Sequence, residues 1–495
     1  MNLLPFQIVV LWSDALLFAL LAAVFLLALW ARRQAPLRAS WARVAANKAA
    51  MVSVTILMAF LLIGVLDSLH YRARLDAAPG QAAAGKAIYA VEVTSLLDAL
   101  LAPLREHPEK TYSAPLATHL FAKEPLPGTE MRDFPRLAWG GAHLFATGQA
   151  AEDALAAHHV KDVLQRGVLG AAGGLLFWLL ALFIVQRANI AWRRKSAQKV
   201  GSGDTAPDSN QAVFLPKAVV PTPNPPARNA VSLTLLALCV LAGVAIGLGT
   251  GYHVLGTDKV GQDVLYLSLK SIRTGLLIGT LTTLVMLPVA VVLGILAGFL
   301  GGWVDDLIQY LYTTLNSIPG VLLIAAAVLM MQVLIDTHPE WFTTAAERAD
   351  ARLLALCLIL GMTSWTGLAR LLRGETLKLR ELEFVQAARA FGVGRLAIMQ
   401  RHILPNLMHI VLIALVMDFS GLVLAEAVLS YVGVGVDPST ISFGTMINAA
   451  RMELARDPMV WWSLASAFSF MFILVLAANL FTDAVRDAFD PRAMS

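Results

Sequence analysis

The stretch EFVQAARAFGVGRLAIMQRHILPN, residues 383–406, lies between two long hydrophobic runs and is polar, basic and rich in helix-forming residues. Ala387, Ala388 and Ala390 offer a smooth surface to which another protein can pack closely. Gly392 is suited to end a helix, and the pair Leu404-Pro405 is suited to begin the next one. The stretch therefore predicts a short helix–turn–helix on the membrane surface, ordered because a partner docks there.

The composition independently indicates a membrane protein. Hydrophobic residues make up 58% of the 495-residue chain, charged residues only 15%, and the mean hydropathy is +0.68. The net charge of +4 does not indicate nucleic-acid binding, because the basic residues flank apolar runs and form no single patch. The two cysteines both lie in apolar segments, so neither a disulfide framework nor a metal site is predicted.

Nine apolar runs are long enough to cross a bilayer, which takes about 20 residues. They are Ile8–Trp30, Ala49–Leu66, Val168–Val185, Ala230–Gly251, Thr274–Leu300, Ile308–Leu334, Leu353–Leu372, Leu407–Val434 and Val460–Phe481. Asp14, in the first run, is a weaker candidate for a carboxylate that faces a cavity or a partner helix, because it is expected to lie close enough to the outer surface to be solvated.

Lysine and arginine predict the orientation of these spans. The loops at 32–48, 187–199 and 370–401 are basic and are expected in the cytoplasm, whereas the acidic loop at 336–350 is expected outside. An odd number of spans then places the N-terminus outside and the C-terminus in the cytoplasm. The first span is not preceded by a basic region or followed by a small-residue cleavage site, so we expect it to remain as a membrane helix.

The chain divides into five predicted parts. Residues 1–68 form an N-terminal transmembrane hairpin, 69–167 an extracytoplasmic insert, and 168–190 a third membrane helix. A Gly/Ser/Pro-rich cytoplasmic linker follows at 191–228, and residues 229–495 form a six-span unit. The insert is predicted to be mostly helical, for instance over Ala87–Glu106, where leucines form an apolar stripe.

A glycine-rich element at residues 253–263, HVLGTDKVGQD, follows the fourth span on the outside. Gly256 and Gly261 permit tight turns. Thr257 and Asp258 are predicted caps of a surface helix that runs through Ile272, and Asp263 closes the element.

Two further elements interrupt apolar spans. Asn316, Ser317 and Pro319 lie in NSIPG, where proline is predicted to break or kink the sixth span. Glu426 lies late in the eighth span, in LAEAVLSYVG, where a carboxylate normally faces a cavity or a partner helix, although an incidental interfacial charge is the alternative.

These elements, together with DAVRDAFDPR at 483–492, occur in the order seen in ABC importer permeases, and the chain most resembles the dipeptide/oligopeptide/nickel branch. The resemblance implies an all-α integral membrane protein whose six-helix, type I permease core is preceded by about three extra membrane helices and the extracytoplasmic insert. It implies that residues 383–405 form the coupling loop that sits in a groove of the ATPase. It also implies that the NSIPG segment and Glu426 lie near the translocation path or the permease–permease interface, although for NSIPG a simple packing kink is an equal alternative.

Three positions depart from the family pattern. Gln386 replaces the usual glutamate of the coupling loop, so an ion pair with an ATPase arginine would have to come from Glu383. Gln262 and Val254 replace the usual arginine and proline of the outer element.

The resemblance also implies the partners. They are a second homologous permease, two ABC ATPase subunits and an extracytoplasmic substrate-binding protein, with the chain itself in the bacterial inner membrane and in contact with no nucleic acid. The chain carries no phosphate-binding GxxxxGK[ST] loop, so ATP would be used by the partner subunits and no cofactor is expected on this chain. Histidines 158 and 159 lack a second ligand cluster, and neither a metal site nor an enzyme is predicted.

The expected substrates are di- and oligopeptides, with nickel chelates or peptide-like antibiotics as alternatives. A secondary transporter would need paired intramembrane charges, and a non-transporting scaffold would not need a coupling loop. For the insert, capping the outer mouth, docking the binding protein and merely packing against the extra spans all remain open.

Overall fold

The computed structural model describes residues 6–75, 88–125, 132–145, 152–201 and 225–489. Within these ranges nine helices are long and apolar enough to cross a membrane, as the sequence predicts. The helices are α1 (Trp12–Ala31), α2 (Ala35–Ala46), α3 (Lys48–Ser68), α4 (Leu96–Leu100), α5 (Ala102–Arg105), α6 (Ala142–Phe145), α7 (Glu152–Gly201), α8 (Pro225–Gly249), α9 (Val264–Leu300), α10 (Gly302–Ser317), α11 (Gly320–Thr337), α12 (Ala345–Arg380), α13 (Glu383–Ala390), α14 (Arg395–Ile398), α15 (Leu404–Val432), α16 (Phe443–Glu453) and α17 (Trp462–Phe489). The strands are β1 (Phe6–Val9), β2 (His70–Leu75), β3 (Ile88–Tyr89), β4 (Thr94–Ser95), β5 (Glu124–Pro125) and β6 (Arg132–Asp133).

The insert is mixed in structure, and the prediction of a mostly helical insert is wrong. Strand β2 pairs antiparallel with β1, β3 and β4, and the helical part of the predicted Ala87–Glu106 segment is limited to the short α4 and α5. Within the predicted segment, β3 and β4 pair with the distant strand β2, so the helix cannot begin before Leu96. Strand β1 also pairs with β2, with Val9 opposite His70, and for this reason the first membrane helix begins at Trp12 and not at Ile8.

Helix α7 is longer than the predicted third span and occupies the start of the predicted linker. Its 50 residues span about 75 Å at about 1.5 Å per residue, more than twice the thickness of a hydrocarbon core. The sequence from 187 to 200 contains no proline or glycine, so nothing ends the helix before Gly201. The remainder of the predicted linker, up to residue 224, lies outside the described residues.

Glycines bring α7 and α8 into close contact. A Cβ atom at Gly170 would lie 2.3 Å from the carbonyl oxygen of Gly243, and one at Gly174 would lie 2.2 Å from that of Cys239. Both helices carry glycines four residues apart, at Gly170 and Gly174 and at Gly243 and Gly247, the small-xxx-small spacing that lets membrane helices approach. The third span is therefore packed directly on the first helix of the six-span unit.

Helix α9 is continuous, so the predicted surface helix through Ile272 and the predicted span from Thr274 are one element. Its N-cap is Asp263, whose Oδ1 accepts hydrogen bonds from the amides of Leu265 (2.8 Å) and Tyr266 (3.1 Å). Thr257 and Asp258 are not caps of this helix. Asp258 Oδ1 instead accepts from the amides of Val260 and Gln262, closing a turn one step earlier in the chain.

The predicted sixth span is divided into two helices. Helix α10 ends at Ser317, Ile318 is extended (φ −91°, ψ 132°), and α11 begins at Gly320. Pro319 disfavours the helical conformation at the residue before it, so a break occurs where the sequence predicts a break or kink. Only α11 is long and apolar enough to span a bilayer, and the predicted start of the span at Ile308 is wrong.

Two cations on α9 connect the N-terminal helices and the insert to the rest of the chain. Arg273 Nη2 donates to Asp14 Oδ1 of α1 at 2.5 Å, and Arg273 Nε donates to Ser68 Oγ at 3.1 Å. One turn earlier, Lys270 Nζ lies 2.6 Å and 2.8 Å from the two carboxylate oxygens of Asp98 in α4. Asp14 is fully buried, so the expectation that it is solvated is wrong. Its burial is tolerated because Arg273 neutralises its charge and His70 Nδ1 bonds its other oxygen at 2.8 Å.

Replacing Asp14 with alanine should lower the free energy of unfolding by about 3–5 kcal/mol, because Arg273 would be left without its counter-ion. The measurement is unfolding in mixed detergent micelles followed by circular dichroism. The double variant Asp14→Leu with Arg273→Leu is the control and should recover most of the loss, since it buries no lone charge. A single variant as stable as the wild type would show that the pair does not hold α1 in place.

Candidate functional site

The predicted coupling loop begins with α13. This helix ends in a turn at Gly392. The amide of Gly392 donates to the carbonyl of Arg389 (3.0 Å), and the amide of Val393 donates to that of Ala388 (3.1 Å). This pair of bonds is the Schellman arrangement, and it requires the left-handed conformation that Gly392 adopts (φ +76°). The role of Gly392 in ending the helix is thus explained by its backbone.

The next helix begins earlier than the sequence predicts. It starts at Arg395, passes through one π-helical segment at Met399–Ile403, and continues as α15 from Leu404. Pro405 therefore does not begin the helix. The π turn, in which the amide of Leu404 donates to the carbonyl of Met399, widens the helix immediately before Pro405, whose ring would clash with a regular α-helical turn.

The small residues of the loop divide between two faces. Val385 and Ala388 are buried against the chain's own core, which includes Leu372, Ile398 and Ile403. Ala388 is therefore not available for an approaching partner, contrary to the expectation that Ala387 and Ala388 form one docking surface. Glu383, Gln386 and Ala387 are exposed, as is Pro405, and Leu404 is half-buried.

Large apolar side chains occupy the outward face of the loop. Phe391 is 87% exposed, Leu396 is 65% exposed, and Phe384 is also an exposed aromatic residue of this loop. Hydrophobic residues at this density on a polar loop are typical of a surface that another protein covers. The small residues of the stretch do not reveal these side chains, although the sequence FGVGRL at 391–396 places an aromatic residue beside the glycine.

Arginines surround a small groove behind this face. Arg380, Arg389 and Arg395 line a cavity of about 360 Å³ together with Phe299, and the guanidinium of Arg389 lies 4.6 Å from the centre of the Phe299 ring. Gln386 Nε2 donates to the carbonyl of Glu381 at 3.1 Å. The amide is thus engaged within the loop, while the exposed Glu383 forms no ion pair among the described residues.

Three of the residues predicted near the translocation path or the permease interface, those of the NSIPG segment, lie on the surface of this chain. Asn316, Ser317 and Pro319 are exposed at the break between α10 and α11. Asn316 Oδ1 accepts a hydrogen bond from Thr366 Oγ1 of α12 (3.1 Å), and Ser317 Oγ donates to the carbonyl of Thr314 (2.7 Å). The break therefore leaves polar groups available at an otherwise apolar surface.

Glu426 does not lie on a path or interface surface of this chain. It is 1% exposed, and its Oε1 accepts from Ser430 Oγ (2.7 Å) and from Ser442 Oγ (2.8 Å). Ser442 is the N-cap of α16, so the carboxylate lies at the positive end of that helix. The contacts of Glu426 hold α16 against α15. Because the side chain is buried, the alternative prediction of an incidental charge at the membrane interface is also wrong.

The outer element at 253–263 is bound to the insert over its whole length. The amide of Ser113 donates to Thr257 Oγ1 (2.7 Å), and the amide of Glu109 donates to the carbonyl of Gly261 (2.9 Å). A Cβ atom at Gly261 would lie 1.8 Å from the carbonyl oxygen of Glu109, and one at Gly256 would lie 2.4 Å from that of Ser113. Both glycines have positive φ, so they are required by the turn and by the approach of the insert.

A buried carboxylate–histidine–carboxylate cluster lies at the centre of this contact. His253 Nδ1 is 2.8 Å from Asp263 Oδ2, and His253 Nε2 is 3.6 Å from Glu109 Oε1. Burial opposes ionisation of Glu109, but His253 and the amides of Gly140, Trp139 and Ala138 lower its pKa to about 2. Burial also opposes protonation of His253, yet the two carboxylates outweigh it and raise its pKa to about 9.

We expect the contact between the insert and the outer element to weaken at alkaline pH. Because the pKa of His253 is raised from about 6.5 in the unfolded chain to about 9 in the folded protein, its stabilisation is complete below about pH 6.5 and is lost as the pH rises through about 9. Hydrogen exchange of residues 109–116, corrected for intrinsic rates between pH 7 and pH 10, measures this. The variant His253→Gln should be equally labile throughout, and identical protection of the wild type at both pH values would contradict the role of His253.

Comparison with known proteins identifies the family. Residues 290–495 match the family described as "Binding-protein-dependent transport system inner membrane component". The oligopeptide transport system permease protein OppC of Mycobacterium tuberculosis is 31% identical over 243 residues, which cover 49% of this chain and 77% of the relative. The chain belongs to the family of binding-protein-dependent ABC importer permeases.

Two other members of the family have similar coverage. The glutathione transport system permease protein GsiD of Pectobacterium atrosepticum is 32% identical over 245 residues, covering 49% of this chain and 74% of the relative. The dipeptide transport system permease protein DppC of Lactococcus lactis is 30% identical over 241 residues, covering 49% and 64%. The chain is thus a multi-pass membrane permease of an ABC importer family, which is a transport family and not an enzyme family.

Proposed function

We propose that this permease forms half of the translocation path of an ATP-driven importer for di- and oligopeptides and is coupled to its ATPase through residues 383–405. The observation that carries the proposal is the exposure of three large apolar side chains, Phe384, Phe391 and Leu396, on this otherwise polar loop. The relatives named for oligopeptide, dipeptide and glutathione transport support a substrate of the peptide class.

The coupling surface combines an apolar centre with charged groups at its margin. Phe391 and Leu396 supply the apolar contact, and the exposed Glu383 supplies the carboxylate for an ATPase arginine, since Gln386 is engaged with Glu381. The arginines of the groove, Arg389 and Arg395, are suited to acidic groups of the same partner.

The proposed assembly contains a second homologous permease, two ATPase subunits that use the ATP, and an extracytoplasmic binding protein. The exposed break at Asn316–Pro319 is the part of this chain that we assign to the path or to the permease–permease interface. The basic loops of the sequence support an orientation with the N-terminus outside and the C-terminus in the cytoplasm. The hydrogen bonds between 109–116 and 253–263 support a structural role of the insert at the outer face.

The coupling role predicts that Phe391→Asp prevents co-purification of the ATPase subunits from host membranes in mild detergent, because a carboxylate would be placed at the centre of an apolar contact. Val260→Asp is the matched control, an exposed apolar residue changed in the same way on the outer element. It should leave the complex intact. Recovery of the ATPase with Phe391→Asp would refute coupling through this face.

The glycine turn gives a second and finer test. Gly392→Ala should reduce peptide uptake, because an alanine in the left-handed conformation costs about 1 kcal/mol and so displaces the loop. Gly394→Ala is the control, since its φ is −61° and a Cβ atom has open space at both positions. Uptake of radiolabelled tripeptide by cells carrying each variant is the measurement. Equal uptake by the two variants would show that the geometry of this turn does not matter for coupling.

A further inference from the structure

A long apolar groove runs along the membrane-spanning part of the chain, between α3 on one side and the α7–α8 pair on the other. Its volume is about 1250 Å³, and its lining extends along α8 from Val231 to the end of the helix, with Thr250 just beyond it. This part of α8 is about 28 Å long at about 1.5 Å per residue, which is close to the thickness of about 30 Å of a hydrocarbon core. The groove therefore lies at the depth of the acyl chains.

Glycines form the part of the groove wall where α7 and α8 cross, and because they have no side chains the groove is deep there. Gly170, Gly174, Gly243 and Gly247 line it from the α7–α8 crossing, and a Cβ atom at Gly173 would meet open space. The walls carry apolar side chains, including Met58 and Leu62 of α3 and Leu235 and Ile246 of α8, all exposed within this chain.

Charged groups of both signs stand at the end of the groove that is nearest to the insert. Arg166 Nε donates to Asp162 Oδ2 at 2.8 Å, and Arg166 Nη1 donates to Thr250 Oγ1 at 2.9 Å. Asp162 Oδ2 also accepts from Tyr252 Oη (2.8 Å) and lies 2.8 Å from His143 Nε2. About a quarter of each charged side chain remains exposed, 25% for Arg166 and 23% for Asp162.

We propose that this groove is a specific binding site for a zwitterionic phospholipid of the ethanolamine type, with its acyl chains between α3 and α8 and its headgroup on Arg166 and Asp162. The guanidinium is suited to the phosphate, and the carboxylate is suited to the ammonium group. Because Arg166 and Asp162 cancel each other's charge, the site attracts a headgroup with both signs more than one with a net negative charge. The proposal is independent of the transported substrate and of the coupling loop.

A phospholipid fits the groove better than a protein helix does. The lining is largely apolar along the spans, where the hydroxyl of Thr55 bonds within its own helix, and its charged groups lie at one end. A single lipid presents the same pattern from its tails to its headgroup. A membrane helix that filled the groove would cover Arg166 and Asp162 with apolar side chains, and burying their exposed portions would cost free energy. The lipid would also fill the space between the third span and the N-terminal helices, so that no void remains there.

The experiment is to reconstitute the full chain, with the subunits that co-purify, in nanodiscs of equal phosphatidylethanolamine and phosphatidylglycerol. The lipid retained after transfer to mild detergent is then counted by native mass spectrometry. We expect about one ethanolamine lipid per chain, preferred about tenfold over the glycerol lipid.

Two variants on the same helix make the test specific. Gly173→Trp fills the groove and should reduce the retained lipid about tenfold. Gly167→Trp makes the same change on α7 at a glycine that also has open space but does not line the groove, and it should retain lipid like the wild type. Thermal unfolding of both variants checks that α7 and α8 remain packed.

Equal retention by Gly173→Trp and the wild type would overturn the proposal, as would equal loss in both variants or equal retention of the two lipids. A direct measurement does not depend on any variant. Phosphatidylethanolamine with a photoreactive group on its acyl chain should label wild-type peptides that contain Met58 or Leu235. Labelling confined to other segments, or protection of these peptides by a helix of a partner subunit, would show that the groove holds something else.

Discussion

The pairing of two partly buried cations on one membrane helix with carboxylates from elsewhere in the chain is the constraint on which much of this structure depends. Lys270 and Arg273 lie one turn apart near the start of α9, and neither could remain away from water without an acidic partner. The partners come from outside the six-span unit, Asp98 from the insert and Asp14 from the first helix. A permease core that carries these cations therefore requires the N-terminal extension, and the extension is held where the charges require it.

The outer face repeats this mutual dependence with hydrogen bonds. The glycine turns at Gly256 and Gly261 leave room for the backbone of residues 109–116, and Thr257 bonds to the same segment. Glu109 in turn binds three successive amides of the insert and faces His253. The insert and the outer element thus form one packed unit. Because Asp263 bonds His253 and also caps α9, we expect a substitution in either part to displace the start of α9.

The loop at 383–405 separates buried anchoring residues from exposed residues along a single short helix. Val385 and Ala388 fasten α13 to the core, while Phe384 and Gln386 face outward, as a helical period of 3.6 residues requires. The left-handed turn at Gly392 and the π turn before Pro405 then direct the chain back into the membrane. Because both turns are held by backbone hydrogen bonds, the outward face is presented in one defined geometry.

The sequence alone determined the number of membrane helices, their approximate positions, the family and the short helices joined by a glycine turn at 383–405. These depend on local properties, since hydropathy is summed over about 20 neighbouring residues and the loop elements are contiguous. The helix break at Pro319 and the helix end at Gly392 belong here too, because proline and glycine act on their own backbone.

The tertiary structure decided which charges meet, which face of the loop is available and how the insert folds. Asp14 was expected in water and Glu426 at a path or interface, but both are buried by partners that are distant in sequence or lie on a neighbouring helix. Likewise, β1 pairs with β2, which lies more than 60 residues further along the chain. The N-cap of α9 is Asp263 and not Thr257. Such pairings depend on the spatial approach of remote segments, and no local pattern of residue types carries that information.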